Sequence, residues 1–337
     1  MSLHSLKALT LAAALLAVAG TASAQTKLLL SHIFPAQHPL VTQVLTPWAA
    51  DVDRVTQGRV KVEFAPSSLA PPPGQLDMVQ KGIADIGLQF AGVVPNRLHF
   101  ELITEIPGPH GSAVQMSRAL WSTYETYFSK SSEYKGVQLH ALFTFPAQDF
   151  FCMKACPTNV AELKSMKILT TPSTSARQYG AVTTGVVAVP AIRYFEPVSK
   201  GVVDAFAATT AMEVVGLNLA PHAKAILRFK NLSTAGPFAM VINPAKWKEI
   251  GAEDQKAIQA LGGAAFAARL KALDEGLAGA LARLESQGIK PVQASESFNA
   301  DLAKAYDFLD DEWVKEAGKR GIDGAAALRH YRSQIAK

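Results

Sequence analysis

The chain has 337 residues, of which 49% are hydrophobic and 18% charged, with a formal charge of +5. That balance describes a globular chain and excludes a disordered one. No block of Lys and Arg stands out, so the basic excess gives no reason to expect nucleic-acid binding.

Residues 1–24 read as an export signal. Lys7 is followed by the apolar run "LTLAAALLAVAG" and then by the small residues "ASA". The run of about a dozen residues is too short for a bilayer span, which takes roughly 20. Cleavage is expected after Ala24, which places the product in the periplasm. No cysteine follows the apolar run, so no lipid anchor is expected. The remainder is long enough to favour two lobes, because single cores stop growing near about 250–300 residues.

In chain order, "KLLLSHIF" (27–34) reads as a short strand broken by Pro35 and Pro39. Leu40 to Val55 reads as a helix with apolar residues three and four apart. In "GRVKVEFAP" the alternation of Val60, Val62 and Phe64 with charged residues marks a half-buried strand. "SSLAPPPGQ" is a loop, Gln75–Lys81 a short helix closed at Gly82, and "ADIGLQF" a strand. The logic then repeats. "GVQLHALFTF" and "DFFCMK" are strands, "NVAELKS" a helix, "MKILTT" a strand and Thr174–Gly180 a helix. "VSKGVVDAFAA" is a helix end, a glycine and a strand. The motif Lys-Gly-x-x-Asp therefore occurs twice, at 81–85 and 200–204, each time between a helix and a strand. The spacing predicts equivalent corners of two α/β lobes. The last third is helical. A helix over 252–287 is expected to bend at Gly262 and Gly263, and a final helix carries Phe298, Leu302, Tyr306, Leu309 and Trp313 to near Gly321.

Cys152 and Cys156 are the only cysteines. A disulfide requires a turn between them, since four extended residues span about 13 Å; two free thiols remain the alternative. No nucleophile elbow, metalloprotease pair, phosphate loop or Cys-x-x-Cys is present. No catalysis, metal or cofactor is expected. His110 reads as a loop residue between glycines. What remains is a cleft between lobes, at the carboxyl ends of the strands. Those ends supply Ser31, His32, Gln89, Phe90, Thr170, Thr171, Thr209 and Thr210.

Several stretches, in order, resemble the substrate-binding proteins of TRAP transporters, the DctP-like type. They are "LLLSHIFPAQHPL", "GRVKVEFAPSS", "GQLDMVQKGIADIGL", "VAELKSMKI", "VPAIRYFEPVSKGVVD" and "GPFAMVINPAKWKEIGAEDQKAI". "GVVPNRLHFELITEIPG" resembles a subgroup. The resemblance implies an α/β two-lobed clamp of the type II-like kind, with hinge strands and a long C-terminal helix shared by both lobes. It divides the chain into 25–146 with about 235–272, and 147–234 with about 273–330. It also implies a monomeric receptor that delivers a small organic acid to membrane permease subunits; a ligand-sensing subunit for a signalling partner is the alternative.

By the same resemblance, the arginine that holds the ligand carboxylate aligns with Leu169. A second arginine aligns near Gln148, and a Glu-Asn pair aligns with Ala207 and Ala208. The expected ligand-binding residues are His32, Gln75, Gln89, Phe90, Phe145, Gln148, Leu169, Thr170, Thr210 and Phe238. An acid would then need a substitute cation, Arg97 or Arg177. A neutral, aromatic or amine ligand would instead use Phe90, Phe143, Phe145 and Phe238, with Glu213 meeting an amine.

Overall fold

The computed structural model describes residues 25–335. The expected export signal lies outside the described residues. Among those described, no helix is long and apolar enough to cross a membrane.

Two sheets organise the molecule. The first contains β1 (Thr26–Ser31), β2 (Val60–Phe64), β3 (Ile86–Phe90), β4 (Gln138–Thr144) and β10 (Pro237–Ile242), in the order β2-β1-β3-β10-β4. The second contains β5 (Asp149–Cys152), β6 (Lys167–Thr170), β7 (Gly185–Ala188), β8 (Ala205–Thr209), β9 (Ala225–Arg228) and β11 (Lys290–Gln293). Its order is β11-β9-β5-β8-β6-β7. Leaving β11 aside, the two sheets share one plan. Three parallel strands are followed by one antiparallel strand and a fifth. The antiparallel strand, β10 or β5, is the one that arrives directly after the chain has crossed from the other lobe.

The two crossing segments are bonded to each other. Phe145 N–H donates to Gly236 O at 3.1 Å and Gln148 N–H to Thr234 O at 2.8 Å. The helix Lys271–Ser286 is a third connection. Leu273 at its start is buried with the first lobe's core, and Leu284 near its end with the second lobe's. This is the shared helix that the resemblance implies.

The Lys-Gly-x-x-Asp corners match in detail. Gly82 and Gly201 have φ of +68° and +64°, the left-handed region glycine enters without a Cβ penalty. Asp85 Oδ2 accepts from Leu29 N–H at 2.7 Å, and Asp204 Oδ2 from Lys167 N–H at 2.8 Å. Each aspartate thus satisfies a backbone donor on the middle of its lobe's three parallel strands, β1 or β6.

Several expectations change. Residues 40–55 form a π turn, Leu40–Leu45, before the helix Thr46–Val55, because Pro47 cannot donate to the ladder. The long helix is three pieces, Ala252–Gln259, Gly263–Arg269 and Lys271–Ser286. The first break falls at the expected glycines, where a Cβ on Gly262 would lie 2.4 Å from His140 O and one on Gly263 2.5 Å from Trp121; the second, at Leu270, was not expected. The final helix is also divided, into Glu296–Tyr306 and Phe308–Lys319. A last helix, Gly324–Ile335, packs on Ala113–Thr123 of the first lobe. Cys152 and Cys156 are joined by a disulfide across a turn, with Cα atoms 5.3 Å apart.

Candidate functional site

The antiparallel register of the first sheet builds an aromatic row. Phe238 on β10 lies opposite Phe90 on β3 and Phe143 on β4. Directly opposite residues on adjacent strands share a face. Phe145, two residues beyond Phe143, turns to the same side. The rings stack at 5.2 Å (Phe90–Phe238), 5.6 Å (Phe143–Phe238) and 4.9 Å (Phe145–Phe238). Phe34, just past β1, closes the group at 5.5 Å from Phe145 and 5.6 Å from Phe238.

These rings face the second lobe across a narrow seam. Phe34, Phe90, Phe145 and Phe238 line one side; Gln148, Thr171, Ala208, Ile192 and Glu213 line the other. The free space is about 60 Å³, room for a few waters. Two larger grooves, about 720 and 570 Å³, lie elsewhere and hold mixed charges. The seam is preferred as the site because it lies at the strand ends between two lobes, where ligands of such sheets bind.

The second lobe shapes its side with a bulge. Between β5 and β8, Asp149 pairs with Thr209 and Phe151 with Phe206, so β8 carries an extra residue. Ala208 sits in it with φ +55°. Its carbonyl accepts from Gln148 Nε2 at 3.1 Å, while Gln148 Oε1 accepts from Thr234 Oγ1 at 2.9 Å. Thr210 caps the helix Ala211–Gly216, and Glu213 returns the bond: its Oε2 accepts from Thr210 N–H at 2.9 Å and Thr209 Oγ1 at 3.1 Å. Burial raises the Glu213 carboxyl above its usual range, opposed by those hydrogen bonds. Thr171 belongs to a buried hydroxyl network with Thr170, Ser173 and Ser175, at 2.9–3.0 Å.

One contact links the lobes beside this network. Glu105, on the 3₁₀ turn Phe100–Glu105 of the first lobe, accepts at Oε2 from Thr174 N–H at 3.0 Å. Burial pushes its carboxyl up to about 7.

Several expected residues lie away from the seam. Leu169 is fully buried in the second lobe's core with Phe151, Tyr194 and Phe206. Ile168 and Leu169, on opposite faces of β6, are both fully buried, so neither face reaches the seam; Thr171, past the strand end, does. Thr170 is buried behind the seam, bonded to Ser175. Gln75 Nε2 donates to Ala70 O and Ser68 Oγ, fastening the loop before its own helix. Gln89 does the same for the helix start, accepting from Leu76 N–H and donating to Pro72 O. His32 is buried beside Phe34 and Phe64, with Nδ1 unpartnered. Phe143 is core. Arg97 pairs with Asp77, and Arg177 pairs with Glu312 in the 720 Å³ groove; neither lines the seam. Phe34 was not among the expected residues. It follows the strand in a proline-broken loop, where no periodicity marks it.

No Lys, Arg or His lines the seam among the described residues. The nearby imidazoles are also shifted toward their neutral form. Burial holds His32 below its usual pKa and, with His32 adding to the effect, pushes His38 down to about 4.

Residues 30–316 match the family model described as bacterial extracellular solute-binding protein, family 7, the DctP type. The chain belongs to this family. A family 7 protein is a binding protein of TRAP transport and not an enzyme. A curated relative, the outer membrane transporter protein TsaT of Comamonas testosteroni, is 34% identical over 92% of this chain and 91% of its own. A solved TRAP periplasmic solute-binding protein of Bordetella bronchiseptica, with bound (R)- and (S)-mandelate, is 27% identical at a TM-score of 0.87. The match covers 92% of this chain and 98% of that one. A marine metagenome TRAP protein specific for aromatic acid ligands, solved with 3-hydroxybenzoate, shares the fold at a TM-score of 0.84 and 23% identity. It covers 93% and 99% of the two chains. The family 7 fold in this chain is thus the α/β, two-sheet solute receptor with long C-terminal helices.

Proposed function

We propose that this chain captures a small, ring-bearing organic acid outside the cytoplasm and presents it to the membrane permease subunits of a TRAP-type transporter. The observation that carries the reading is the convergence of Phe34, Phe90, Phe145 and Phe238 on the seam. Four phenyl faces in one closed space favour a flat ring by area burial and by offset stacking, about 0.5–1.5 kcal/mol per pair beyond the area. The mandelate-bound relative supports the same class of solute.

The lobes would part to admit the ligand and close on it, since two crossing segments and one helix join them and the closed seam holds little space. Titration calorimetry with a panel of aromatic and aliphatic acids tests the reading. Micromolar or tighter binding confined to ring compounds is expected. Binding of aliphatic acids alone would remove it.

A second reading rests on Glu213. A carboxylate in a seam without basic residues favours an amine or a neutral donor over a bare acid.

A further inference from the structure

Glu213 is the one ionisable side chain that lines the seam among the described residues. It enters from the second lobe, opposite the phenylalanine cluster. The two bonds given above both fall on Oε2, and the Thr210 side chain adds a further hydrogen bond to the carboxyl. With about four lone-pair sites on its two oxygens, the carboxylate keeps acceptor capacity for whatever occupies the space. The neighbouring amide is largely committed, since Gln148 uses its oxygen on Thr234 and one N–H on Ala208, which leaves it a single N–H. The seam thus offers a surplus acceptor and no cation.

The chemistry of such a pocket is asymmetric. A bare ligand carboxylate beside Glu213 brings two like charges together in a partly desolvated space, which disfavours both. A hydroxyl would donate to the carboxylate and satisfy it. An ammonium would also draw on the phenyl faces, by cation–π attraction. The raised carboxyl of Glu213 agrees with a group that lacks a cationic neighbour.

We propose that Glu213 accepts a hydrogen bond from the bound solute, which therefore carries a hydroxyl or ammonium donor on or beside its ring. This rests on the ring-binding reading above and adds a specificity determinant to it.

The test is calorimetry on the full mature chain with pairs that differ at the donor. Mandelate against phenylacetate, and 3-hydroxybenzoate against benzoate, probe the hydroxyl. Phenethylamine against phenylacetate probes the ammonium. In the wild type, the donor-bearing member of at least one pair should bind tenfold tighter or more. Glu213→Gln keeps an amide oxygen to accept from Thr210 N–H, so the helix cap survives while the charge goes. In that variant phenylacetate and benzoate should bind about tenfold more tightly than to the wild type. An ammonium preference should vanish, whereas a hydroxyl preference should shrink but persist. Glu213→Ala should remove both. A gain in acid binding cannot come from misfolding, so it separates loss of charge from loss of structure. Equal affinities within every pair in the wild type, or preferences unchanged in Glu213→Gln, overturn the assignment while leaving ring binding intact. A wild-type chain that binds no ring compound overturns the ring reading and this subsite together.

Discussion

The two lobes repeat one framework and then part company at the seam. In both, a helix ends on a left-handed glycine, an exposed and then a buried residue follow, and an aspartate fastens the middle parallel strand. The correspondence runs on into the strands: Leu30 pairs with Ile86 as Ile168 pairs with Ala205. At that spacing Gln89 answers to Ala208. Gln89 uses its amide to fasten the loop and helix in front of β3 and to bond Phe90 O at the strand's end. Ala208 has no such side chain, and its strand bulges. Residues that satisfy backbone donors are therefore shared, while residues that face the seam are free to differ. One side became aromatic, the other polar and acidic.

The largest effect is expected where the second lobe departs from its relatives' implied pattern. Leu169 is fully buried among Phe151, Tyr194 and Phe206. Leu169→Arg would place an unpaired charge in that core, at a cost of at least about 3 kcal/mol. Urea denaturation should show a large loss of stability and no gain in carboxylate binding. A well-folded variant with new affinity for acids would mean that this side chain reaches the seam after all.

Next comes the contact that joins the lobes. Glu105 is buried with its carboxyl near 7, well above the usual value of about 4.5. The folded state therefore holds this proton more tightly than the unfolded chain does. By linkage its contribution is greatest below the unfolded value, declines as pH rises from about 4.5 to about 7, and is constant above that. The full span is on the order of 3 kcal/mol. Glu101 and Glu133 are also raised, with burial the main cause, and contribute a slope of the same sign. Comparing wild type with Glu105→Gln isolates the share of Glu105: the variant's stability should fall less over that interval. Parallel curves would assign the slope to the first lobe's interior instead.

The aspartates allow a direct comparison of the corners. Asp85→Ala strips a partly buried N–H of its partner and should cost about 1–3 kcal/mol. Asp204→Ala should cost less, under about 1 kcal/mol, because its site is open to water and its pair with Lys154 is exposed. Lys154 and the Lys167 N–H hold Asp204 below the usual carboxylate range. Its small contribution is thus present above pH about 4 and lost as pH falls through the folded value. Equal costs at the two sites would mean that exposure does not separate them.

Much of this framework was legible because it is local. A helix, a glycine and an Asp form a short-range signature, and the strands β1, β2, β3 and β6 carry apolar runs or alternation. Other elements gave no such signal. The four residues of β11 are all exposed, and β10 begins with Pro237, which reads as a break. The division at Asp307 is hidden because apolar residues continue across it. The seam was harder still. Both faces of β6 are core, with Ile168 and Leu169 fully buried, so a position aligned within the strand stays out of the seam, which lies past the strand's end. Gln75 and Gln89 have the polarity of ligand contacts, yet they hold loops. Phe34 is brought in by tertiary packing alone.

The smallest predicted effect tests whether the seam stores strain. A non-glycine residue in the left-handed region is disfavoured by about 1–2 kcal/mol, whereas glycine and, to a lesser degree, asparagine enter it readily. Ala208 occupies that region in a strand, next to the ligand space. The resemblance to relatives aligns an asparagine there, a residue suited to the same backbone. The bulge would then be the inherited feature, and alanine the local departure that leaves the seam apolar at this point. Ala208→Gly should raise stability by about 0.5–1 kcal/mol, the relief of strain exceeding glycine's extra unfolded-state entropy. Ala208→Asn should gain less, since its amide must share the space with Gln148 and Glu213, but it should alter ligand affinity where the glycine variant does not. Thermal and urea midpoints, with calorimetry, separate the two. If Ala208→Gly destabilises the protein, the bulge is held by its neighbours without strain at this residue.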